Sequence, residues 1–225
     1  IRGLIASISR GFPVGAVMTL RTGGAVDFKP RPLEGAPAAA ADETPDSLLL
    51  DGQQRLTSLY QVLVRKQVVA TLTPRRQRVR RWFYLDIEKC LDEAGDRDEA
   101  VVILPESRRV TSEFGRVVEL DLSTRELEFK NMMFPLTSVL DYADWQTAFV
   151  MQYSGTADFQ ARFQRLNEFH ERVIKNFTAY LVPQIELSAS TSKEAVCVVF
   201  EKVNTGGKAL DAFELITAMY AADGY

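Results

Sequence analysis

Apolar positions open the chain at helical spacing: Ile1, Leu4, Ile5 and Ile8 share one face, Gly11 follows as a C-terminal cap and Pro13 stops the segment. Residues 14–20, largely apolar, then read as a buried strand. Residues 22–47 lose all periodicity. With four prolines and the alanine run at 38–41, they read as a long, mobile surface insertion. Order returns at Leu48, Leu49 and Leu50, a short run that stops at Asp51-Gly52 and passes into Leu56, Leu59, Tyr60 and Leu63 at helical spacing. The pattern is strand, tight turn, helix, with Arg65 and Lys66 in the last turn, where cations oppose the carbonyl end of the dipole.

Farther on, Phe83, Leu85 and Ile87 alternate with Trp82, Tyr84, Asp86 and Glu88, which is strand periodicity. An acidic solvated loop follows at 92–100. Val118, Leu120 and Leu122 with Leu127 and Phe129 predict a hairpin turning at residues 123–125. From Pro135 onward the pattern is mostly helical. Phe159, Phe163, Leu166, His170, Val173, Phe177 and Leu181 step by fours and threes, the seam of one helix of about six turns. Pro183 precedes a short strand, QIEL. Thr191-x-x-Glu194 has capping-box spacing for a helix whose inward face is Val196, Val199, Phe200 and Val203, and Asp211-x-x-Glu214 repeats the device for a last helix.

Composition narrows the class. The chain has 225 residues, 46% hydrophobic and 25% charged, enough for a full core without disulfides or structural metals. Its two cysteines, Cys90 and Cys197, and single His170 lack zinc-site spacing. The net charge is -3, so contact with nucleic acid requires a local patch. No apolar run approaches the ~20 residues needed to span a bilayer. These features, with Ile1 in first place and no leader pattern, predict a cytoplasmic chain lacking its natural start.

The stretch LLLDGQQRLTSLY carries most chemistry. A strand ending in Asp-Gly before a helix places the amides of Gln53, Gln54 and Arg55 at a helix N-terminus, a natural seat for phosphate. There Arg55 offers a charged fork, Gln53 or Gln54 can orient a water, and Asp51 can hold magnesium or that water. A plain helix cap followed by solvated glutamines explains the same spacing. A second stretch, NTGGKAL, offers Asn204, Gly206, Gly207 and Lys208 as a nest of amides beside a cation, without the Walker A spacing; a simple helix connection is the alternative. A triphosphate needs more donors than one helix end supplies, so the two loops are expected to face one another across a cleft. Third, RRQRVRR sets Arg75, Arg76, Arg78, Arg80 and Arg81 beside Trp82 and Tyr84, suited to phosphate and base contacts, or to a cationic edge strand. His170 and Cys197 read as core-facing residues, and Cys90 carries no signal.

DGQQRLTSLY together with FEKVNTGGKALDAFELITA resembles the paired signatures of the DGQQR-motif family, the amino-terminal domains of GmrSD-type modification-dependent restriction enzymes and of SspE-like phage-defence proteins. The likeness extends to GFPVGAVMTL, WFYLDIE, MFPL at 133–136 and VPQIEL at 182–187, with Phe200, Asn204, Gly207 and Leu210 matching FxxxNxxGxxL. The resemblance implies a ParB/sulfiredoxin-like α/β core that binds and hydrolyses a nucleoside triphosphate with Mg2+, coupled to recognition of modified DNA. Asp51, Gln53, Gln54 and Arg55 would be its active loop, with Gly52, Asn204, Gly206, Gly207 and Lys208 on the nucleotide. It also implies an HNH-type nuclease domain or partner, which these 225 residues do not contain.

The expected organisation is an α/β mixed-sheet core over 1–134, bearing the DGQQR turn and the 22–47 insertion. A mostly helical part over 135–225 carries the NTGGK loop. Two functional classes compete: an NTP-hydrolysing sensor of a DNA-targeting defence protein, and a non-catalytic module of the same fold that binds DNA or a partner. A sulfiredoxin-like thiol enzyme is disfavoured, because neither cysteine lies in the phosphate turn.

Overall fold

The computed structural model describes residues 1–24, 30–37, 43–73 and 75–203. Its helices are α1 (Arg2–Ser9), α2 (Gln53–Leu59), α3 (Ile87–Leu91), α4 (Arg97–Ala100), α5 (Arg125–Lys130), α6 (Tyr142–Tyr153), α7 (Phe159–Phe169), α8 (Lys175–Thr178) and α9 (Lys193–Val203). Its strands are β1 (Val17–Arg21), β2 (Ser47–Asp51), β3 (Val69–Leu72), β4 (Arg78–Asp86), β5 (Val101–Pro105), β6 (Arg109–Ser112), β7 (Val117–Asp121), β8 (Met133–Pro135) and β9 (Gln184–Leu187). The fold is of the expected mixed α/β class. Among the described residues no helix is long and apolar enough to cross a membrane.

Contacts divide the chain into a larger unit, Ile1–Val14 with Ser58–Leu181, and a smaller one, Gly15–Thr57 with Val182–Tyr225. The division falls elsewhere than the 134/135 boundary expected from sequence, and it interleaves the chain.

In the smaller unit β1 is central, antiparallel to β2 and parallel to β9. The parallel pairing joins segments far apart in the chain, as Val17 with Gln184 and Leu20 with Leu187. Leu20 and Val196 are buried against each other with Leu50 and Leu187, so α9 covers one face of the sheet. The cap of α9 comes one residue later than Thr191: Ser192 Oγ accepts from the Ala195 amide at 3.2 Å. Phe200 and Val203 lie where side chains are outside the described set, and Asp211 and Glu214 lie outside the described residues altogether.

The larger unit is built on β4, a nine-residue strand that pairs antiparallel with β3, β5 and β8. Period-two alternation gives it two faces. Val79, Arg81, Phe83 and Leu85 share one, of which Phe83 and Leu85 enter the main core; Arg78, Arg80, Trp82 and Tyr84 share the other. Tyr84 is buried with Leu104 and Leu122 in a second, smaller core, and Ile87 begins α3, so the strand period ends at Asp86, two residues before the expected Glu88. The main core centres on aromatic rings. Phe134 lies 5.0 Å from Trp145 and 5.5 Å from Phe169, and Phe129 packs edge-on to Trp145 at 4.8 Å.

Two expectations are corrected. Residues 125–130 form α5, capped by Thr124 Oγ1 on the Leu127 amide, and the partner of β7 is β6, with Phe114 at the hairpin tip. The seam from Phe159 continues through a π-helical turn at His170–Ile174 and ends at Thr178, leaving Leu181 88% exposed. The π turn shifts the inward face, so that Phe169, Val173 and Ile174 are all buried.

Candidate functional site

The DGQQR segment is a strand-turn-helix junction, as its sequence predicts. Asp51 is the last residue of β2 and pairs with Met18 of β1. Gly52 turns the chain at φ +92, and a Cβ there would lie 2.8 Å from Val17 Cγ1 and 3.2 Å from Arg55 Nη2. Only glycine fits this turn without strain. The α2 ladder starts with the Leu56 amide on the Gly52 carbonyl at 3.0 Å. The amides of Gln53, Gln54 and Arg55 therefore precede it, at the positive end of the dipole. The Gln53 and Gln54 side chains are exposed, while those of Asp51 and Arg55 are half-buried.

Arg55 does more in this turn than spacing alone suggested. Its Nη2 donates to the Ala16 carbonyl at 2.6 Å and to Asp51 Oδ2 at 3.1 Å, so the guanidinium ties the entry of β1 to the end of β2. Its Nη1 sits where a Gly15 Cβ would be, only 2.3 Å away, and Gly15 itself has φ +90. Gly15, Gly52 and Arg55 thus form one fitted group, two missing side chains making room for one planar fork. The sequence signal for Gly15 was the GFPVGAV segment, but its role depends on Arg55 forty positions away.

Asp51 is the one carboxylate in this turn, and among the described residues no cluster of three or more His, Cys, Asp or Glu could hold an ion by protein ligands alone. That donor set fits Mg2+, which commonly binds through one or two carboxylates plus the phosphates of its nucleotide. Asn204, Gly206, Gly207 and Lys208 lie outside the described residues, and so does any cleft between their loop and the DGQQR turn.

The arginine run divides by face. Arg75 and Arg76 occupy the β3–β4 turn, where the Arg76 amide donates to Thr73 O at 2.8 Å, and both are exposed with Arg78 and Arg80; Arg81 lies on the opposite face of β4, half-buried. β4 is hydrogen-bonded to β3 through Arg78–Arg81, while its pairing with β5 begins only at Arg81, so among the described residues Arg78–Arg80 are strand-paired on one side. Arg80 pairs with Glu106 at 2.8 Å. His170 stacks on Tyr142 at 4.7 Å and lies 3.4 Å from Glu171, a local surface pair. Cys90 is fully buried, and burial pushes its thiol up to about 12, which leaves it inert at neutral pH. Cys197 is half-buried.

One cluster escaped sequence reasoning. Glu128 is buried, accepts from the Tyr84 hydroxyl at 3.2 Å and lies 4.0 Å from Arg108 Nη1. The Arg108 guanidinium stacks over Trp82 at 4.2 Å. Burial holds the Glu128 carboxyl above its ordinary range, against the pull of Trp145, Tyr84 and Arg108, and burial likewise raises the Tyr84 phenol. The available signal was Thr124 followed by Glu126 and Glu128, a helix start that turns Glu128 inward.

Compared with known families, the chain matches the one described as GmrSD restriction endonuclease, N-terminal domain, over residues 1–221. No curated protein matches it.

Proposed function

The chain belongs to the family of GmrSD restriction endonuclease N-terminal domains, and from that premise we propose that it is the nucleoside triphosphate-binding and hydrolysing sensor of a DNA-targeting restriction protein. The observation that carries the reading is the fitted turn of Gly15, Asp51, Gly52 and Arg55. A turn held this closely by a charged side chain, at the amino end of a helix, is a preorganised seat for an anion.

In this reading the amides of Gln53, Gln54 and Arg55 hold phosphate oxygens. Arg55 keeps the turn in shape through Ala16 and Asp51 and adds positive charge beside the phosphates. Asp51 would hold Mg2+, whose chemistry when bound is to neutralise charge on the phosphoryl groups. Gln54 or Gln53, both exposed beside the turn, orients the attacking water by donating and accepting at once. Asn204, Gly206, Gly207 and Lys208 complete the nucleotide's contacts, and an HNH-type nuclease domain or partner performs cleavage.

The test separates these roles. Arg55→Ala weakens nucleotide binding, whereas Gln54→Ala leaves affinity and slows turnover, because a water-orienting group acts chiefly in the transition state. Equal loss of affinity in both variants reverses the assignment. DNA engagement is read from salt. If Arg76, Arg78 and Arg80 contact phosphates, changing all three to Ala flattens the log-log salt slope of DNA binding by up to about three units. An unchanged slope removes the patch from the DNA interface.

A second reading has one observation in its favour. The Arg55 Nη2 is committed to Ala16 and Asp51, as in a purely structural brace. A binding module that keeps the turn without chemistry has the same bonds, and it binds DNA or a partner without releasing phosphate.

A further inference from the structure

On the face of β4 that carries Arg78, Arg80, Trp82 and Tyr84, a cavity of about 140 Å3 opens, lined among others by Trp82, Tyr84, Arg108, Arg125, Glu128 and Thr137. All these residues belong to the larger unit. Its wall is the layered pair of Arg108 on Trp82, and flat guanidinium and indole surfaces are what nucleobases stack on. Its floor is Glu128, 4% exposed and tied to Tyr84, with Arg108 4.0 Å away. Arg125 stands at the rim, exposed. An acceptor and cationic donors side by side match an edge on which N-H and ring-nitrogen or carbonyl groups adjoin, which is the edge of a nucleobase. A simple anion fits less well, because the buried carboxylate opposes it. The volume lies well below that of pockets for drug-sized ligands and suits a single small ring system. The same strand face leads from the cavity to Arg80 and Arg78, which can follow the phosphates of the strand that supplies the base.

We propose that this cavity is a nucleobase pocket, with the base stacked against the Arg108–Trp82 layer and its polar edge read by Glu128 and Arg125. The proposal rests on the DNA-targeting reading above only for the source of the base. That source is a nucleotide extruded from DNA or the base of a free nucleotide, and the two are separable.

Trp82 is one of two tryptophans, and the other, Trp145, is fully buried, so emission lost in Trp82→Phe reports the pocket. The adenosine, cytidine, guanosine and thymidine 5′-monophosphates are titrated against ribose 5-phosphate, which has the anion without the ring. In parallel, a duplex carrying one 2-aminopurine reports unstacking. At least one nucleotide quenches Trp82, or the 2-aminopurine brightens on binding; ribose 5-phosphate does neither. Brightening assigns the base to DNA, and quenching without brightening assigns it to free nucleotide. Glu128→Gln and Arg125→Ala weaken the signal about tenfold, and Thr137→Phe abolishes it by filling the cavity. Because Arg125 and Thr137 are not core residues, these variants stay interpretable if Glu128→Gln folds poorly. No signal from any probe overturns the pocket, as does equal binding of ribose 5-phosphate or indifference to Arg125→Ala and Thr137→Phe. Phosphate release and salt-dependent DNA binding are measured on the same variants. Their persistence alongside a silent pocket condemns the pocket alone, and their absence alongside a responsive pocket condemns the hydrolase reading alone.

Discussion

The two units of the molecule hold their shape by different means. The larger has a continuous apolar core in which Trp145, Phe129, Phe134, Phe149 and Phe169 are each 2% exposed or less and packed ring against ring. The smaller has a three-stranded sheet whose described apolar cluster contains just two buried residues, Leu20 and Val196. Beside it stands a polar group: a guanidinium, a carboxylate and a carbonyl fitted around two glycines. Apolar packing is non-directional and supplies stability, whereas charged hydrogen bonds are directional and supply geometry. The comparison implies that stability and ligand geometry can be damaged separately.

The largest effect belongs to the aromatic core. Phe134 is fully buried among Tyr142, Trp145 and Phe169, and Phe134→Ala should cost about 4 kcal/mol in urea unfolding, since the cavity cannot collapse among rigid rings. A loss under 1 kcal/mol would show that the core is looser than its ring contacts imply. Next comes Gly52→Ala, which forces a left-handed φ on a β-carbon and presses it against Val17. The strain is on the order of 2 kcal/mol, and nucleotide affinity should fall further than stability does. Equal falls would remove the distinction between the units. Arg55→Lys keeps the charge and loses the planar fork. With both partners about a third exposed, it should cost about 1 kcal/mol or less in stability, yet disturb nucleotide binding clearly in calorimetric titration.

The smallest effect is a pH dependence in the larger unit. Burial raises the folded Glu128 pKa above its unfolded value, so the neutral carboxyl favours folding at low pH, and that contribution is lost as pH rises through the folded value. Melting curves of wild type and Glu128→Gln should therefore coincide at low pH and separate above the ordinary glutamate range, with the glutamine variant the more stable. Parallel curves throughout would mean that Glu128 is solvated.

One junction was especially legible in this chain. The run Leu48–Leu50 stopping at Asp-Gly placed the β2–α2 junction, because a strand that must turn sharply into a helix leaves a short apolar run and a glycine. Contacts between distant segments were not legible. That Arg55 folds back on Ala16 follows from the pairing of β1 with β2, and no local pattern encodes it. The 118–129 region misled for a different reason. Val118, Leu120, Leu122, Leu127 and Phe129 satisfy strand alternation on both sides of a turn, and the deciding signal was one side-chain cap, Thr124, whose hydroxyl starts α5 and swings Glu128 into the interior. The arginine run was found by composition, but its division required knowing where β4 begins, because only Arg78, Arg80 and Arg81 lie on the strand and alternate between its faces.

The central claim is that the Asp51–Arg55 turn handles phosphate, and phosphate release tests it most directly. The protein is incubated in Mg2+ with each of the four ribonucleoside triphosphates, with and without DNA, beside Asp51→Asn. The account predicts release from at least one nucleotide by the wild type and a loss of at least about a hundredfold in the variant, on the scale of removing a group that acts on charge in the transition state. No release from any nucleotide, or equal rates in the two proteins, would contradict it.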